Sequence, residues 1–347
     1  MGSVPVDVYP EAMTYDPANG DLYVCGFGGA DNLTVISTTR NRAIASIPIG
    51  DYCVSIAYDP VNGDLYTANY NSINVSVIDG ATNRVIATLS GLPGRPSGIV
   101  ADSRNGEVFI GTANANVTVV NGTTNTIVAN IVEGADPWWN WGIAYDNLTD
   151  EIYLAGSSTI WVVSGSSNSV VANVSIAGAS STNGLAFDPA NGRVYVSTGL
   201  IFSPWFPGTG KKAAIFDGST NTLVRSVATG KNPQAPVVAL AHQTVFVPGA
   251  ASDVVTIFAA NSGRIVATVA TGSKPNAAVY DSGRDYVFVG NSGTGNITVI
   301  SAKNNTVVTN LGAGNLPIVS AYAPASGYVY FGVGTLSGGY SVTVIRG

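Results

Sequence analysis

Charged residues are scarce in this sequence. They make up 10% of its 347 residues, and acidic residues outnumber basic ones by 21 to 15, which gives a formal net charge of −6. No basic stripe is left to neutralise phosphates, so we expect no nucleic-acid partner. So little charge suits a surface that works in acid, where carboxylates protonate and ion pairs are lost. A glycan coat or a large assembly explains the same composition equally well.

Long hydrophobic runs are absent. No run of about 18 apolar residues occurs, so we expect no membrane insertion by this segment. A signal peptide is not recognisable either, because the first residues, "MGSVPVDVYP", have neither a basic start nor an apolar stretch.

Metal-binding and nucleophilic side chains are also rare. Cys25 and Cys53 are the only cysteines. They are too few for a disulfide scaffold and wrongly spaced for a zinc site, although a single bridge between them stays open. The one histidine, His242, lies in the short turn "ALAHQTVF" with no second His or Cys near it in the repeat. We therefore predict no catalytic residues, no metal and no cofactor, and hence a protein that is not an enzyme.

What the sequence does contain is a repeat. One unit reads "VSIAYDPVNGDLYTANYNSINVSVIDGATNRVIATLSG", a pattern of strand, tight turn, strand, loop, strand, polar turn and strand. The pair of residues before the first turn serves as an anchor, and successive anchors are 43, 43, 44, 42, 53, 40 and 42 residues apart. The anchors are Tyr15-Asp16, Tyr58-Asp59, Ala101-Asp102, Tyr145-Asp146, Phe187-Asp188, Leu240-Ala241, Tyr280-Asp281 and Tyr322-Ala323.

A period near 42 residues with four strands per unit is typical of a β-propeller blade. Eight anchors predict an all-β, eight-bladed β-propeller of four-stranded antiparallel blades, spanning residues 1–347 as a single domain. The last unit is one strand short, and "SVPV" near the N-terminus matches the end of a fourth strand, so the N-terminal strand should complete the last blade. The predicted blades are roughly 10–50, 51–94, 95–136, 137–181, 182–233, 234–275, 276–316, and 317–347 together with 3–8.

Two units carry a resemblance to a known family. "LYTANYNSINVSVIDGATNRVIATL" and "YVFVGNSGTGNITVISAKNNTVVTNL" resemble the YVTN-type β-propeller repeats of archaeal surface-layer and other secreted proteins. The literal string "YVTN" does not occur, so the resemblance rests on the extended pattern. It implies the propeller fold and an extracellular or cell-surface location, and it brings no catalytic residues with it.

Two kinds of repeated residue have a structural interpretation. The Asp of the "YDP" segments should cap a tight turn by accepting backbone N–H groups, which we favour over a ring of metal ligands. Copying of one ancestral unit also multiplies N-glycosylation triplets, so each is only a candidate. The candidates are Asn32, Asn74, Asn116, Asn121, Asn147, Asn173, Asn296 and Asn304.

The aromatic stretch "ADPWWNWG" falls where the chain enters the fourth unit, and the one long insertion, residues 199–212, falls between strands two and three of the fifth. In a propeller both connections emerge on the same face. Four of the five tryptophans should therefore gather there, either plugging the channel or forming an exposed platform for sugar rings or an apolar partner. The candidate ligand-binding residues are Trp138, Trp139, Asn140, Trp141, Phe202, Trp205, Phe206, Lys211 and Lys212.

The function that we predict from the sequence is a non-catalytic binding or assembly module of surface-layer or adhesion type. Its partner would be a glycan or another cell-surface protein. Two alternatives stay open. One is a propeller enzyme of lactonase type or a subunit of a redox complex, and the other is a purely structural spacer.

Overall fold

The computed structural model describes residues 1–29, 31–132, 142–179, 181–182, 184–199, 210–334 and 339–346. Its strands form eight four-stranded antiparallel sheets. Seven of the sheets are built from four consecutive strands, and the eighth combines the N-terminal strand with the last three. The predicted eight-bladed β-propeller is confirmed.

The strands follow one another in a regular series. The N-terminal strand is β1 (Gly2–Val6). Blade 1 contains β2 (Val8–Asp16), β3 (Asp21–Gly29), β4 (Asn32–Ser37) and β5 (Arg42–Pro48); blade 2 contains β6 (Cys53–Tyr58), β7 (Asp64–Asn69), β8 (Asn74–Asp79) and β9 (Arg84–Leu89). Blade 3 contains β10 (Pro96–Ala101), β11 (Glu107–Thr112), β12 (Asn116–Asn121) and β13 (Thr126–Val132); blade 4 contains β14 (Ile143–Asp146), β15 (Glu151–Ala155), β16 (Thr159–Ser164) and β17 (Ser169–Ser175).

The second half of the ring repeats this order. Blade 5 contains β18 (Leu185–Asp188), β19 (Arg193–Ser197), β20 (Lys212–Asp217) and β21 (Thr222–Ala228); blade 6 contains β22 (Val237–Ala239), β23 (Thr244–Gly249), β24 (Val254–Ala259) and β25 (Ile265–Ala270). Blade 7 contains β26 (Pro275–Asp281), β27 (Tyr286–Asn291), β28 (Asn296–Ser301) and β29 (Thr306–Gly312); blade 8 contains β30 (Pro317–Ala323), β31 (Tyr328–Val333), β32 (Tyr340–Arg346) and, as its outermost strand, β1.

The hydrophobic core lies between neighbouring blades rather than within one sheet. Tyr66 and Val75 of blade 2, for example, belong to the same buried cluster as Val108 of blade 3. Alternating side chains of the two middle strands point to opposite faces, and each face is covered by the next blade. The Val, Ile and Tyr residues of these strands are buried for this reason.

Two faces of the ring need names. We call the lower face the one that carries the turns after the first and third strands of each blade. The upper face carries the loops between the second and third strands and the connections from one blade to the next.

The N-terminal strand closes the ring. β1 pairs antiparallel with β32, with Val4 opposite Val342. Val4 and Val6 point into the cluster between blades 8 and 1 and retain 2% and 7% of their exposure. On the lower face the Tyr330 hydroxyl of blade 8 donates to Asn41 Oδ1 of blade 1 at 2.7 Å. Side chains and backbone therefore both hold the two ends of the chain together.

The repeated aspartates cap the first turn on the lower face, as predicted. Their side chains are almost fully buried, at 1% exposure or less. In each, Oδ1 accepts the backbone N–H two residues further on, at 2.7 to 2.9 Å. The six residues are Asp16, Asp59, Asp102, Asp146, Asp188 and Asp281.

One anchor was predicted wrongly. In blade 6 Ala239 pairs with Thr244, which is the register that Asp281 and Tyr286 have in blade 7. The anchor of blade 6 is therefore Val238-Ala239, and Leu240 lies in the turn. The turn of this blade is as long as the others, but Val238-Ala239 contains neither an aromatic residue nor an aspartate, so the pattern was matched to the pair two residues further on.

The outermost strands share an irregularity. Seven of them, all except β1, contain one extra residue opposite the third strand, which is a β-bulge. The extra residue is always Ile or Val, and six of the seven are between 41% and 51% exposed. These six, the outer bulge residues, are Ile44, Ile86, Val128, Val171, Val224 and Val308.

Blades 1 and 2 are also joined covalently. Cys25 of β3 and Cys53 of β6 form a disulfide, and both are fully buried. The bridge considered from the sequence is therefore present. It closes a loop across a blade boundary, where it restricts the unfolded chain.

Loss of this bridge should lower stability. For a sequence separation of 28 residues, loop-closure entropy gives about 3 to 4 kcal/mol. We expect the Cys25→Ala/Cys53→Ala variant to unfold at a lower urea concentration than the oxidised wild type. Adding dithiothreitol should lower the midpoint of the wild type and leave the variant unchanged. Equal midpoints for the two proteins under oxidising conditions would contradict this.

Candidate functional site

Most of the predicted ligand-binding residues lie outside the described residues. These are Trp138, Trp139, Asn140, Trp141, Phe202, Trp205 and Phe206. These residues belong to the connection between β13 and β14 and to the loop between β19 and β20. The ends of the strands that border both segments are on the upper face. Lys211 and Lys212 are described, and both are exposed on the same face. Whether the tryptophans form one platform stays a prediction.

A different aromatic cluster crosses the upper face of blades 8, 1, 2 and 3. We call it the aromatic strip, and it consists of Tyr340, Tyr9, Phe27, Tyr52, Tyr70 and Arg95. Neighbouring ring centroids are 4.7 to 5.8 Å apart, within the range of favourable tilted and edge contacts. At its end the Arg95 guanidinium lies over the Tyr70 ring at 4.8 Å, a cation–π contact.

The repeat explains why these rings meet. Tyr52 and Arg95 stand seven residues before Asp59 and Asp102, and Phe27 and Tyr70 stand eleven residues after Asp16 and Asp59. Between blades 1 and 2, and again between blades 2 and 3, the first position of the later blade lies against the second position of the blade before it. Tyr52 therefore packs on Phe27 at 5.2 Å and Arg95 on Tyr70 at 4.8 Å.

The backbone holds this arrangement in place. The Tyr70 N–H donates to the Tyr52 carbonyl at 2.8 Å, and the Ala113 N–H donates to the Arg95 carbonyl at 2.9 Å. Tyr52 has a φ of 58°, and Asn232 and Lys274 at the same place in blades 6 and 7 have 50° and 55°. The turn therefore orients the side chain at this position, and the orientation does not depend on a ligand.

The strip is partly open to solvent. Phe27 is 38% exposed, whereas the other rings are partly buried. Arg95 Nη1 donates to the Tyr70 carbonyl at 3.2 Å and to Asn71 Oδ1 at 2.9 Å, which fixes the guanidinium plane. The result is a rigid surface with one exposed ring, several hydroxyl groups and one cation.

A single carboxyl group lies beside the strip. Glu11 is the extra residue of a bulge in β2, between Pro10, which pairs with Gly26, and Ala12, which pairs with Cys25. A Cβ on Gly26 would overlap the Tyr9 carbonyl, so the bulge requires glycine there. The bulge turns the Glu11 side chain toward Tyr52.

The surroundings of Glu11 disfavour its charged form. Burial raises the pKa of Glu11 to about 7, and the hydrogen bond from Tyr52 offsets this only in part. Burial and the Glu11 charge also raise the pKa of Tyr52, so its hydroxyl keeps its proton and acts as the donor. Glu11 can therefore present either a carboxyl or a carboxylate near neutral pH.

The lone histidine lies on the lower face and has a structural role. His242 Nε2 is 2.5 Å from Asp285 Oδ2, and the Tyr280 hydroxyl donates to Asp285 Oδ1 at 2.9 Å. Burial disfavours the charge on Asp285, but the hydrogen bonds from His242 and Tyr280 outweigh burial and lower the pKa of Asp285. The cluster joins blades 6 and 7. Among the described residues no three His, Cys, Asp or Glu side chains form a group suited to a metal.

The candidate glycosylation sites differ in accessibility. Asn147, Asn173 and Asn304 are exposed, and the other candidates are partly buried. Asn74 Oδ1 and Asn296 Oδ1 accept hydrogen bonds from Asn69 and Asn291 at 2.8 and 2.9 Å. The exposed asparagines are therefore the more accessible acceptors, and their modification stays a prediction.

Sequence reasoning missed the aromatic strip and Glu11. The signal for the strip was the recurrence of Tyr9 and Tyr52 seven residues before an anchor. Nothing in the sequence marked Glu11, because its burial depends on the bulge.

The fold defines the class of the chain as an eight-bladed β-propeller. No family model matches the chain, and no curated protein matches it. Among solved structures it is similar to the hydrazine synthase of Kuenenia stuttgartiensis, with a TM-score of 0.68 and 14% identity over 99% of this chain and 97% of that one. It is also similar to the computationally designed protein Ika8, with a TM-score of 0.75 and 15% identity over 99% of this chain and 100% of that one.

At such low identity these similarities concern the fold alone. The resemblance to YVTN-type repeats stays a prediction. No helix with the length and hydropathy of a membrane span occurs in the described ranges.

Proposed function

We propose that this propeller is an extracellular glycan-binding module and that the aromatic strip on its upper face holds the sugar. The observation that carries the proposal is the continuous contact of Tyr340, Tyr9, Phe27, Tyr52 and Tyr70, ending in Arg95. Aromatic side chains offer a large rigid contact area together with hydroxyl groups. A sugar ring requires the same combination, an apolar face to stack on and polar partners at its edge.

The rigidity of the strip supports a binding role. Its turns are held by backbone hydrogen bonds, and Arg95 donates to the Tyr70 carbonyl and to Asn71 Oδ1. Little conformational freedom is therefore lost when a ligand binds. Its place on loops carried by a rigid scaffold is also usual for recognition. The Glu11 carboxyl beside Tyr52 adds an acceptor for sugar hydroxyls.

An extracellular location is supported by two observations. A buried disulfide joins blades 1 and 2, and disulfides persist in oxidising compartments. Charged residues are only 10% of the chain.

A glycan array followed by calorimetry tests the proposal. We expect the purified propeller to bind a subset of uncharged glycans. Phe27→Ala should weaken that binding roughly tenfold, because an exposed stacking partner is lost. Arg95→Ala should weaken it as well, since the guanidinium orders the end of the strip.

The matched control is Val128→Ala. Val128 is 49% exposed, on the outer edge of blade 3, so its truncation removes exposed apolar surface away from the strip. It should leave binding unchanged. If the array is negative, or if the only captured partner is a protein that binds Phe27→Ala as well as the wild type, the proposal fails.

The expectation that the chain is not an enzyme stays a prediction. Metal analysis of the purified protein and a lactone-hydrolysis screen address the enzyme alternative directly. Turnover in that screen would replace the binding role with a catalytic one.

A further inference from the structure

A groove of about 380 Å³ lies on the upper rim between blades 5 and 6. Its walls come from the residue before β20, the connection after β21, and the strands β24 and β25. Two of the lining residues are lysines, Lys211 and Lys231, and none is acidic. The chain has only 15 basic residues against 21 acidic ones, so two cations on one groove without an acid stand out from the rest of the molecule.

The repeat explains why the groove is open here. Between blades 6 and 7 the equivalent space beside Gly272 is filled by Asn291 and Asn296, which hydrogen-bond to each other at 2.9 Å. Between blades 1 and 2 a second hydrogen-bonded asparagine pair fills the space beside Gly50.

Between blades 5 and 6 both asparagines are replaced. The residue in the middle of the site is Gly230, and Gly249 and Val254 stand where blades 2 and 7 have asparagine. The groove is the space that the missing amide pair leaves.

Lys211 and Lys231 occupy two repeat positions whose side chains interact with each other at the boundary between blades 1 and 2. The Thr229 N–H donates to the Lys211 carbonyl as the Ile49 N–H does to Asp31. The Lys231 N–H donates to Ser252 Oγ at 3.0 Å, as the Asp51 N–H does to Ser72 Oγ at 2.7 Å.

Lys211 and Lys231 are therefore the counterparts of Asp31 and Asp51. The pKa of Asp31 is raised by burial, and also by the charge of Asp51 and a hydrogen bond with it. The carboxyl groups of Asp31 and Asp51 therefore lie close together. At the same two positions blades 5 and 6 have Lys211 and Lys231, and two cations that line one groove without an acidic residue favour an anion there.

We propose that the groove between blades 5 and 6 is a subsite for a saccharide that carries a carboxylate or sulfate group. Lys211 and Lys231 would hold the anion, and the exposed Thr268 hydroxyl lines the same groove for a contact with a sugar hydroxyl. The subsite rests on the proposed role of the upper face in glycan binding. It lies on the side of the ring away from the aromatic strip.

An acidic peptide fits the groove less well. An extended peptide would gain most by pairing with the free edge of β25, which forms one wall. The bulge at Val266, between Ile265 and Ala267, interrupts that edge. The Thr268 hydroxyl and short apolar side chains then remain as the other contacts, and they suit a sugar better than a peptide backbone.

Calorimetric titration with four probes tests the subsite. The probes are oligogalacturonate, a chondroitin sulfate hexasaccharide, uncharged xylohexaose and triglutamate. We expect the wild type to bind at least one of the two acidic saccharides, more weakly as salt is added. Lys211→Ala and Lys231→Ala should each weaken this binding by roughly tenfold or more, because a charge-assisted contact is lost.

Two controls separate charge from shape. Lys303→Ala removes an exposed lysine from the lower face of blade 7 and should change affinity less than twofold. Val254→Asn places an amide in the groove without altering the charge, and should reduce binding of the acidic saccharides while circular dichroism stays unchanged.

The outcomes distinguish this subsite from the aromatic strip. If Phe27→Ala loses uncharged glycans but keeps the acidic saccharides, both sites stand. If the wild type binds acidic saccharides but no uncharged glycan, the strip is rejected as a sugar site and the subsite stands. Acidic saccharides that bind Lys211→Ala/Lys231→Ala as tightly as the wild type would overturn the subsite, and so would triglutamate binding more tightly than either saccharide.

Discussion

Removing residues Gly2–Val6 should lower the free energy of unfolding by about 5 kcal/mol, the sum expected for two buried valines and the lost strand pairing. Val4 and Val6 leave the cluster between blades 8 and 1, and β32 loses the partner of its outer edge. The measurement is urea unfolding followed by tryptophan fluorescence and circular dichroism. A truncated chain with an unchanged midpoint would show that ring closure contributes little.

Two point variants on the same strand test the cause. Val4 is 2% exposed, whereas its neighbour Ser3 is exposed. Val4→Asp places a charge in the core and should cost several kcal/mol, on the order of the desolvation penalty of an unpaired ion. Ser3→Asp introduces the same charge toward solvent and should leave the midpoint close to that of the wild type. Similar losses in both variants would point to disrupted strand pairing rather than burial.

The stability of the propeller should fall as the pH rises from about 4.5 to about 7 because of Glu11. The folded protein holds a proton on Glu11 with a pKa of about 7, against 4.5 for an unperturbed glutamate. A raised folded-state pKa gives stability that is complete below 4.5 and is lost as the pH passes about 7. A difference of this size corresponds to about 3 kcal/mol.

Glu11→Gln keeps the shape and removes the titration. Its unfolding free energy should therefore be flatter over this range and should exceed that of the wild type at pH 8, where the wild type contains a desolvated charge. Asp64, whose pKa burial raises to about 6, contributes a smaller slope of the same sign to both proteins.

Asp7→Asn is the matched control for the loss of one acid. The Asp7 side chain is exposed and lies close to Glu11 in the sequence. This control should run parallel to the wild type. Parallel profiles for Glu11→Gln and the wild type would mean that Glu11 is solvated in the folded protein.

Much of the architecture follows from the sequence, because the features that define a blade are local. Asp16 and its counterparts cap their turns through bonds to residues two positions away, so the period and the number of blades can be read directly. The place of Val4 and Val6 follows from counting strands in the last unit. The anchor of blade 6 could not be found in this way, because Val238-Ala239 has neither the aromatic residue nor the capping aspartate that marks the other anchors.

The sites depend on contacts between units and were harder to predict. Tyr52 and Phe27 belong to different repeat units and come together only where blades 1 and 2 pack against each other. In the sequence, Trp139 stands seven residues before Asp146, the same offset as Tyr52 from Asp59. For the aromatic strip, the informative signal was this offset in Tyr9 and Tyr52, while the position of Trp139 stays a prediction.

The groove between blades 5 and 6 could not be predicted from the sequence, because it comes from residues that are missing. Gly249 and Val254 are unremarkable in a strand. Their significance is apparent only after the strand register shows that blades 2 and 7 have a hydrogen-bonded pair of asparagines at the same two positions. Lys211 was a candidate from the sequence, but its partner Lys231 follows a different strand and carried no signal.

The outer bulge residues affect how copies of the molecule behave when crowded together. A ring of eight sheets has eight unpaired borders around its circumference, and each could template a growing fibril. In seven of them the extra residue breaks the run of backbone donors and acceptors, so a neighbouring chain cannot extend the sheet in register. In a protein with so few charges to keep its copies apart, the bulged rim therefore hinders sheet-to-sheet growth by geometry.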